Sequence, residues 1–272
     1  MSIELNHGRD TQIRLDRYNK PNPKSDGKIR ADLLLVQRGH AASRHQAQAL
    51  LLAGQVFSRG ERVSKAGTLI AEDLPLEIRK PIPFVGRGGV KLDHALTHFR
   101  IDPVGWTVLD AGASTGGFTD CLLQRGAGKV YAVDVGHGQF ASRLRGDPRV
   151  ILLERTNVRY LNRETIPDLL DLVVADLAFI SLTKVLTPLA SLVGNGGHLV
   201  LLVKPQFELG PREAKKGVVR ALGSQAAAVR KVEEAAEALG LLVAGETPSP
   251  LRGPKGNQEH FLHLIKSAEG VK

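Results

Sequence analysis

A single cysteine, Cys121, stands in a chain of 272 residues. One thiol excludes an internal disulfide and a cysteine-ligated metal cluster. In the helical pattern FTDCLLQRG it reads as a small buried residue. Aromatic residues make up only 4% of the chain, so recognition of unpaired bases by stacking is not prominent. No apolar run approaches the roughly 20 residues that cross a bilayer. The N-terminus, MSIELNHGRDTQ, has no apolar signal core. A soluble cytoplasmic protein with no membrane attachment is therefore expected. The nine histidines show no ligand spacing such as H-E-x-x-H, and no bound metal is expected. Acidic residues are also in short supply, 28 against 37 Lys and Arg, for a net charge of +9. That excess is compatible with an anionic partner, nucleic acid first and an acidic membrane surface second, and equally with a merely solvated basic surface.

The length permits one large domain or two unequal ones. Residues 1–27 are polar and Pro-containing and read as a flexible tail. Residues 28–81 form a small module. Two helical stretches part near Gly39, with Ser43 placed as N-cap of the second. Short β-like runs with turns at Gly60 and Gly67 follow. The Pro- and Gly-rich stretch RKPIPFVGRGG contains the linker, taken as 82–89. From residue 90 to 268 strands alternate with helices: TVLDAGA, KVYAVDVG, VILLERT, DLVVADLA, HLVLLVK and FLHLIK are the strand candidates. This pattern predicts an α/β fold with a Rossmann-like, mostly parallel sheet covered on both faces. No crossover helix fits before FLHLIK, so the last strand is expected to run antiparallel.

The turn in VLDAGASTGGFTDCLL carries the clearest site. Small residues let a backbone approach a ligand, and a helix N-terminus favours negative charge. The spacing D-x-G-x-S-T-G-G is neither the dinucleotide fingerprint nor a P-loop. It suits a ligand with an amino-acid end, its carboxylate near the turn and its ammonium near Asp110. Asp134 ends the next strand about 20 residues on, where an acid bonds ribose hydroxyls. Together these features describe an S-adenosylmethionine site. The cofactor set is Asp110, Gly112, Ser114, Thr115, Gly116, Gly117, Phe118, Asp134 and Asn157. For Phe118 packing in the core is the stronger alternative; for Asn157, where such folds meet the adenine, a plain turn role is nearly as strong.

A second feature is LLVKPQFELG, where an apolar strand ends on Lys204. A buried ammonium is costly, so a charge there calls for a purpose. The motifs DAGASTGGFTD, ADLAFISL, LVKPQFELG and GNQEHFL together resemble the TlyA family, whose members are named both as hemolysins and as ribosomal RNA 2′-O-methyltransferases. The catalytic domain of that family is similar to the FtsJ-like ribose methyltransferases. Residues 30–67 also resemble the S-four-type RNA-binding domain, through the spacings R-x-D-x-x-L, G-x-x-x-S-R-x-x-A and G-x-V. The likeness runs from residue 28 to about 266. Three departures stand out: Arg59 where the RNA-binding domain usually has Asn, Gly86 where the family commonly has Ser, and the added N-terminal tail.

The resemblance implies a catalytic tetrad of Lys91, Asp176, Lys204 and Glu259. The topology agrees, since Asp176 and Lys204 end parallel strands and Glu259 begins an antiparallel one, all at the ligand edge of the sheet. A ribose hydroxyl is a weak nucleophile and needs a base. A lysine can serve only if its pKa falls from about 10.4, through desolvation or a like charge. Lys204 is the expected base. Lys91 and Asp176 would position nucleophile and methyl donor, and Glu259 would orient the amines.

The RNA-binding set is Lys28, Arg30, Arg44, His45, Arg59, Arg62 and Lys65 in the small module, with Arg87 in the linker. The partner implied is ribosomal RNA or a ribosomal subunit, with cytidines of one or both subunits as targets. The competing readings are an inert RNA-binding assembly factor and a membrane-active hemolysin. No oligomeric state follows from the sequence.

Overall fold

The computed structural model describes residues 27–79, 82–210, 212–214 and 217–267. The expected tail, residues 1–27, lies almost wholly outside the described residues. The chain divides into two compact units, one ending at Pro81 and the other beginning at Ile82.

In the first unit, β1 (Lys28–Arg30) leads directly into α1 (Ala31–Gln37), and α2 (Arg44–Leu52) follows. Ser43 caps α2, its hydroxyl accepting the Gln46 N–H at 3.2 Å, which satisfies one of the free donors of the first turn. Strands β2 (Val56–Ser58) and β3 (Glu61–Arg62) form a hairpin, β5 (Glu77–Ile78) pairs with β2, and β4 (Leu69–Ala71) pairs with β1. The hairpin turns at Arg59 and Gly60, both with positive φ, 49° and 86°. That is the geometry of a type I′ turn, which favours Asn-Gly. Arginine there carries a left-handed backbone at some cost. Leu34, Leu35, Leu51 and Val56 fill the core between these elements.

The second unit opens with α3 (Arg87–Phe99). The expected linker of 82–89 is therefore shorter, because Arg87, Gly88 and Gly89 already belong to the helix. Gly89 is buried there, and a Cβ on it would collide with the Phe84 side chain at 2.3 Å. There follow β6 (Thr107–Ala111), α4 (Gly117–Gln124), β7 (Lys129–Val133), α5 (Ser142–Arg145), β8 (Val150–Leu153), β9 (Leu170–Ala175), α6 (Leu186–Leu192), β10 (Val193–Val203), α7 (Pro205–Glu208), α8 (Leu222–Glu237), β11 (Leu241–Pro248) and β12 (His260–Lys266). Seven strands order as β11-β12-β10-β9-β6-β7-β8. Strand β12 is antiparallel to both neighbours and the other pairs are parallel. The Rossmann-like sheet with an antiparallel last strand is thus as expected. The edge strand β11, in LLVAGETP, has no counterpart among the expected strands. It alternates weakly and is largely exposed, so its apolar pattern is thin, and its final Pro248 suits an edge that needs no donor.

The strands bury both faces. Val173 and Ala175 of β9 pack with Leu199 and Leu201 of β10 under α6 and α8. Leu172 and Val174 pack with Val200 and Leu202 on the other face, with α3 and α4. Alternating side chains point to opposite faces, so the continuous apolar runs of the sequence supply two cores at once.

Candidate functional site

The parallel strands β6, β7, β9 and β10 all end at one edge of the sheet. A cavity of about 640 Å³ opens there, lined by Gly112, Ser114, Asp134, Asn157, Asp176 and Lys204 among others. Six residues singled out from the sequence thus converge. Gly112 has φ 91°, and a Cβ on it would sit 2.6 Å from the Asp176 carbonyl oxygen. Only glycine lets the β6 turn pass so close to the end of β9. Ser114 also takes positive φ, 49°. Its N–H donates to Asp134 Oδ2 at 2.8 Å, and the Gly136 N–H donates to Oδ1 at 2.7 Å. Each carboxylate oxygen keeps a further lone pair for a ligand. Asn157 Oδ1 accepts the Arg159 N–H at 3.0 Å, a local turn bond.

Other members of the expected cofactor set lie behind the cavity wall. Phe118, included in the cofactor set with core packing as its stronger reading, takes the core place: it is 3% exposed and packs near Phe261, ring centroids 6.2 Å apart. It faces inward because it lies on the side of α4 that covers the sheet. Thr115, Gly116 and Gly117 shape the turn without lining the cavity. A Cβ on Gly86 would sit 2.9 Å from Thr115 Oγ1, and one on Gly117 3.0 Å from the Gly89 nitrogen, so these small residues let α3 dock on the turn.

Asp110 is fully buried at the end of β6. Thr119 Oγ1 donates to its Oδ2 at 2.6 Å, and its Oδ1 has no partner among the described residues. Burial pushes its pKa up to about 7; the Thr119 bonds oppose that, and the charges of Asp176 and Asp134 add to it. An orphaned buried carboxylate oxygen directly behind the turn fits a cofactor that brings an ammonium.

The four expected catalytic residues form two ion pairs. Lys204 Nζ lies 2.5 Å from Asp176 Oδ1 at the cavity. Lys91 Nζ lies 2.6 Å from Glu259 Oε2, with Glu259 only 1% exposed. Strands β10 and β12 pair as far as Val203 opposite His260, so Lys204 and Glu259 are the next residues out on neighbouring strands. Each carboxylate therefore orients one particular lysine, Asp176 holding Lys204 and Glu259 holding Lys91. The sequence pattern left that division open.

The structure adds residues that sequence reasoning did not single out. Phe179, in the ADLAFISL motif, lines the cavity, is 90% exposed and has φ 64°. A bulky side chain in the left-handed region is an uncommon and costly arrangement. Its ring lies 5.3 Å from that of Phe207. The loop bearing it is fastened by the buried carboxylate of Glu208. That group accepts from Ser181 Oγ at 2.5 Å and from the Leu182 N–H at 2.8 Å. Burial raises the Glu208 pKa, and these bonds oppose the rise. Motif position was the only sequence signal for Phe179, since exposure and backbone strain are not legible there.

In the first unit, Asp32 is fully buried. Arg30 donates to it twice at 3.0 Å, and Arg44 and Gln48 each donate at 3.1 Å. Burial works against the charge, but these bonds hold the carboxyl well below its usual range. Arg30 and Arg44 are therefore structural as well as basic. The Arg62 guanidinium lies over Gly54, where a Cβ would come within 2.1 Å of it. Lys28, His45, Arg59 and Lys65 are exposed. Arg87, in the second unit, donates to the Arg252 carbonyl at 3.2 Å. Among the described residues no cluster of three or more His, Cys, Asp or Glu is placed to hold a metal, and no helix is long and apolar enough to cross a membrane.

A parallel sheet with one reversed strand, a glycine turn backed by acids, and lysine–carboxylate pairs at the same edge define a methyltransferase that uses S-adenosylmethionine. Residues 84–266 match the FtsJ-like methyltransferase family, and the chain belongs to it. The chain is 47% identical over 240 residues to the 16S/23S rRNA (cytidine-2′-O)-methyltransferase TlyA of Mycobacterium tuberculosis, covering 87% of this chain and 90% of that protein. It is 37% identical to Hemolysin A of Brachyspira hyodysenteriae, over 87% of this chain and 100% of the relative. A solved structure from Streptococcus thermophilus, described as a hemolysin candidate, superposes with a TM-score of 0.70 at 38% identity, covering 90% of this chain and 91% of the other.

Proposed function

We propose that this chain methylates ribose 2′-hydroxyls of ribosomal RNA, with cytidines of one or both subunits as targets. The observation that carries the reading is the Lys204–Asp176 pair, 2.5 Å apart on the wall of the cofactor cavity. The names of the relatives, and their coverage of nearly the whole chain, support the same substrate. Bound S-adenosylmethionine supplies an electrophilic methyl group. Asp134 would take the ribose hydroxyls of the cofactor, Ser114 and Gly112 would border it, and the free oxygen of Asp110 would meet its ammonium. Lys204 Nζ would accept the proton of the 2′-hydroxyl, leaving that oxygen as the nucleophile toward the methyl group the cofactor would supply. Asp176 fixes the Lys204 amine and balances the charge it gains. Lys91, held by Glu259, positions the incoming ribose and its phosphate. Phe179 offers the base of the target nucleotide an aromatic face at the mouth of the cavity. The first unit, the proposed S-four-type domain, grips structured RNA through phosphates with Lys28, Arg59, Arg62 and Lys65.

The test is Lys204→Ala incubated with methyl-labelled cofactor and purified 30S and 50S subunits. Transfer should fall at least about 100-fold, the range of a lost general base, with cofactor affinity unchanged. Near-normal turnover would remove Lys204 from the reaction. Label recovered on a base instead of a ribose would overturn the 2′-O assignment.

A further inference from the structure

A second pocket, about 510 Å³, opens between the segment leading into α8 and the loop leading into β12. Three cations line it, Arg220, Arg252 and Lys255, together with the amides of Gln225 and Gln258. No carboxylate is among its described lining residues. Elsewhere in the unit Arg125 pairs with Asp93, Arg145 with Glu154 and Arg149 with Asp147. Among the described residues, none of the three pocket cations makes an ion pair.

The cations stand on a fastened scaffold. Asn257 is 2% exposed. Its Oδ1 accepts the Val219 N–H at 2.8 Å, and its Nδ2 donates to the Gly217 carbonyl at 2.9 Å. The loop is closed by Gly253 N–H to the Asn257 carbonyl at 2.9 Å and by Arg252 Nη1 to the Gly256 carbonyl at 3.1 Å. Groups held in place lose less freedom when they bind. The pocket also borders the proposed reaction centre. Its loop runs straight into Glu259, and a Cβ on Gly253 would sit 2.5 Å from the Glu259 carboxylate. Arg87, one turn before Lys91 on α3, holds the Arg252 carbonyl.

We propose that Arg220, Arg252 and Lys255 bind backbone phosphates of the RNA strand flanking the target ribose. The inference rests on the reading that RNA is the substrate. Two arginine forks and a lysine match phosphate oxygens, and no acid among the described lining residues repels them. Phosphate contact carries no sequence information, so the site sets the register of the strand and leaves the choice of base to other groups.

The test uses the full chain with Arg220, Arg252 and Lys255 all changed to Ala, and a charge-keeping variant with Arg220→Lys and Arg252→Lys. Binding to purified 30S and 50S subunits is measured across a salt series, beside initial methylation rates. The triple variant should lower the slope of log affinity against log salt by about 2, three contacts at about 0.7 each. Its KM for the accepting subunit should rise about tenfold or more, with kcat and cofactor affinity unchanged and the melting temperature lowered by no more than the lost Arg252–Gly256 bond accounts for, a few degrees at most. The charge-keeping variant should retain most of the parent slope. A parental slope and KM in the triple variant would overturn the proposal, and so would weaker binding at an unchanged slope. If the parent binds subunits but labels neither, the methylation reading fails alone, and the salt slope still decides the phosphate site.

Discussion

Asp110 is a buried acid whose partner is proposed to arrive with the cofactor, and its replacement by Asn separates that role from packing. Its carboxyl pKa is 3.8 in an unfolded chain and about 7 in the fold. Below about pH 4 both states are protonated and the group costs nothing. Between about pH 4 and 7 the unfolded chain releases its proton while the folded chain keeps it, so stability falls as pH rises. At about 1.4 kcal/mol per pH unit the loss reaches about 4 kcal/mol by pH 7 and is constant above. About 2 kcal/mol of it accrues between pH 5.5 and 7, or about 4–8 °C in the melting temperature of a unit this size. Asp110→Asn removes that slope, whatever fixed cost the amide adds. With cofactor the sign reverses. The ammonium needs the ionised carboxylate, so affinity for S-adenosylmethionine should weaken about 15-fold from pH 7 to 5.5 in the parent and stay flat in the variant. Thermal denaturation and titration calorimetry across that range measure both. Equal pH slopes in parent and variant, with and without cofactor, would refute the reasoning.

His263 gives the opposite sign. Burial first, then the His198 ring, pushes its pKa down to about 4, so the unfolded chain gains a proton that the fold refuses. Stability present above about pH 6.5 should be lost as pH falls toward 4, by up to about 3 kcal/mol, and His263→Leu should flatten that limb of an acid-unfolding curve. Glu259→Ala strands the Lys91 ammonium beside an almost fully buried site and should cost about 3–5 kcal/mol in a denaturant melt. The double variant Lys91→Met with Glu259→Leu should recover most of that stability and none of the activity. Arg59→Asn relieves a left-handed arginine and should stabilise the first unit by about 0.5–1 kcal/mol. If Arg59 meets phosphate as proposed, the same change should weaken RNA binding; unfolding and filter binding on one preparation test both.

The apolar runs of β6, β7, β9 and β10 were legible because both faces of a parallel sheet are buried and the whole strand must be apolar. The turn at Gly112 was legible because few residue types tolerate its backbone. Edge strand β11 was not, since a half-exposed edge leaves no such pattern. Nor was the early start of α3 at Arg87, where glycines that read as linker are the small residues a helix needs to dock on the cofactor turn. Phe118, next to the turn in sequence, packs in the core as its stronger reading had it, because helical phase, not sequence distance, decides which way a side chain points.

The sequence by itself determined the alternation of the fold, the two acids and glycines of the cofactor turn, and a lysine placed where an apolar strand should have ended. Only the tertiary structure decided that Lys204 belongs with Asp176 and Lys91 with Glu259, and that, among the described residues, one oxygen of Asp110 lacks a partner and no acid lines the pocket shared by Arg220, Arg252 and Lys255. The physical reason is range. Burial and backbone strain leave local marks on residue choice, whereas an ion pair joining residues 91 and 259 depends on distances that only strand order and register set.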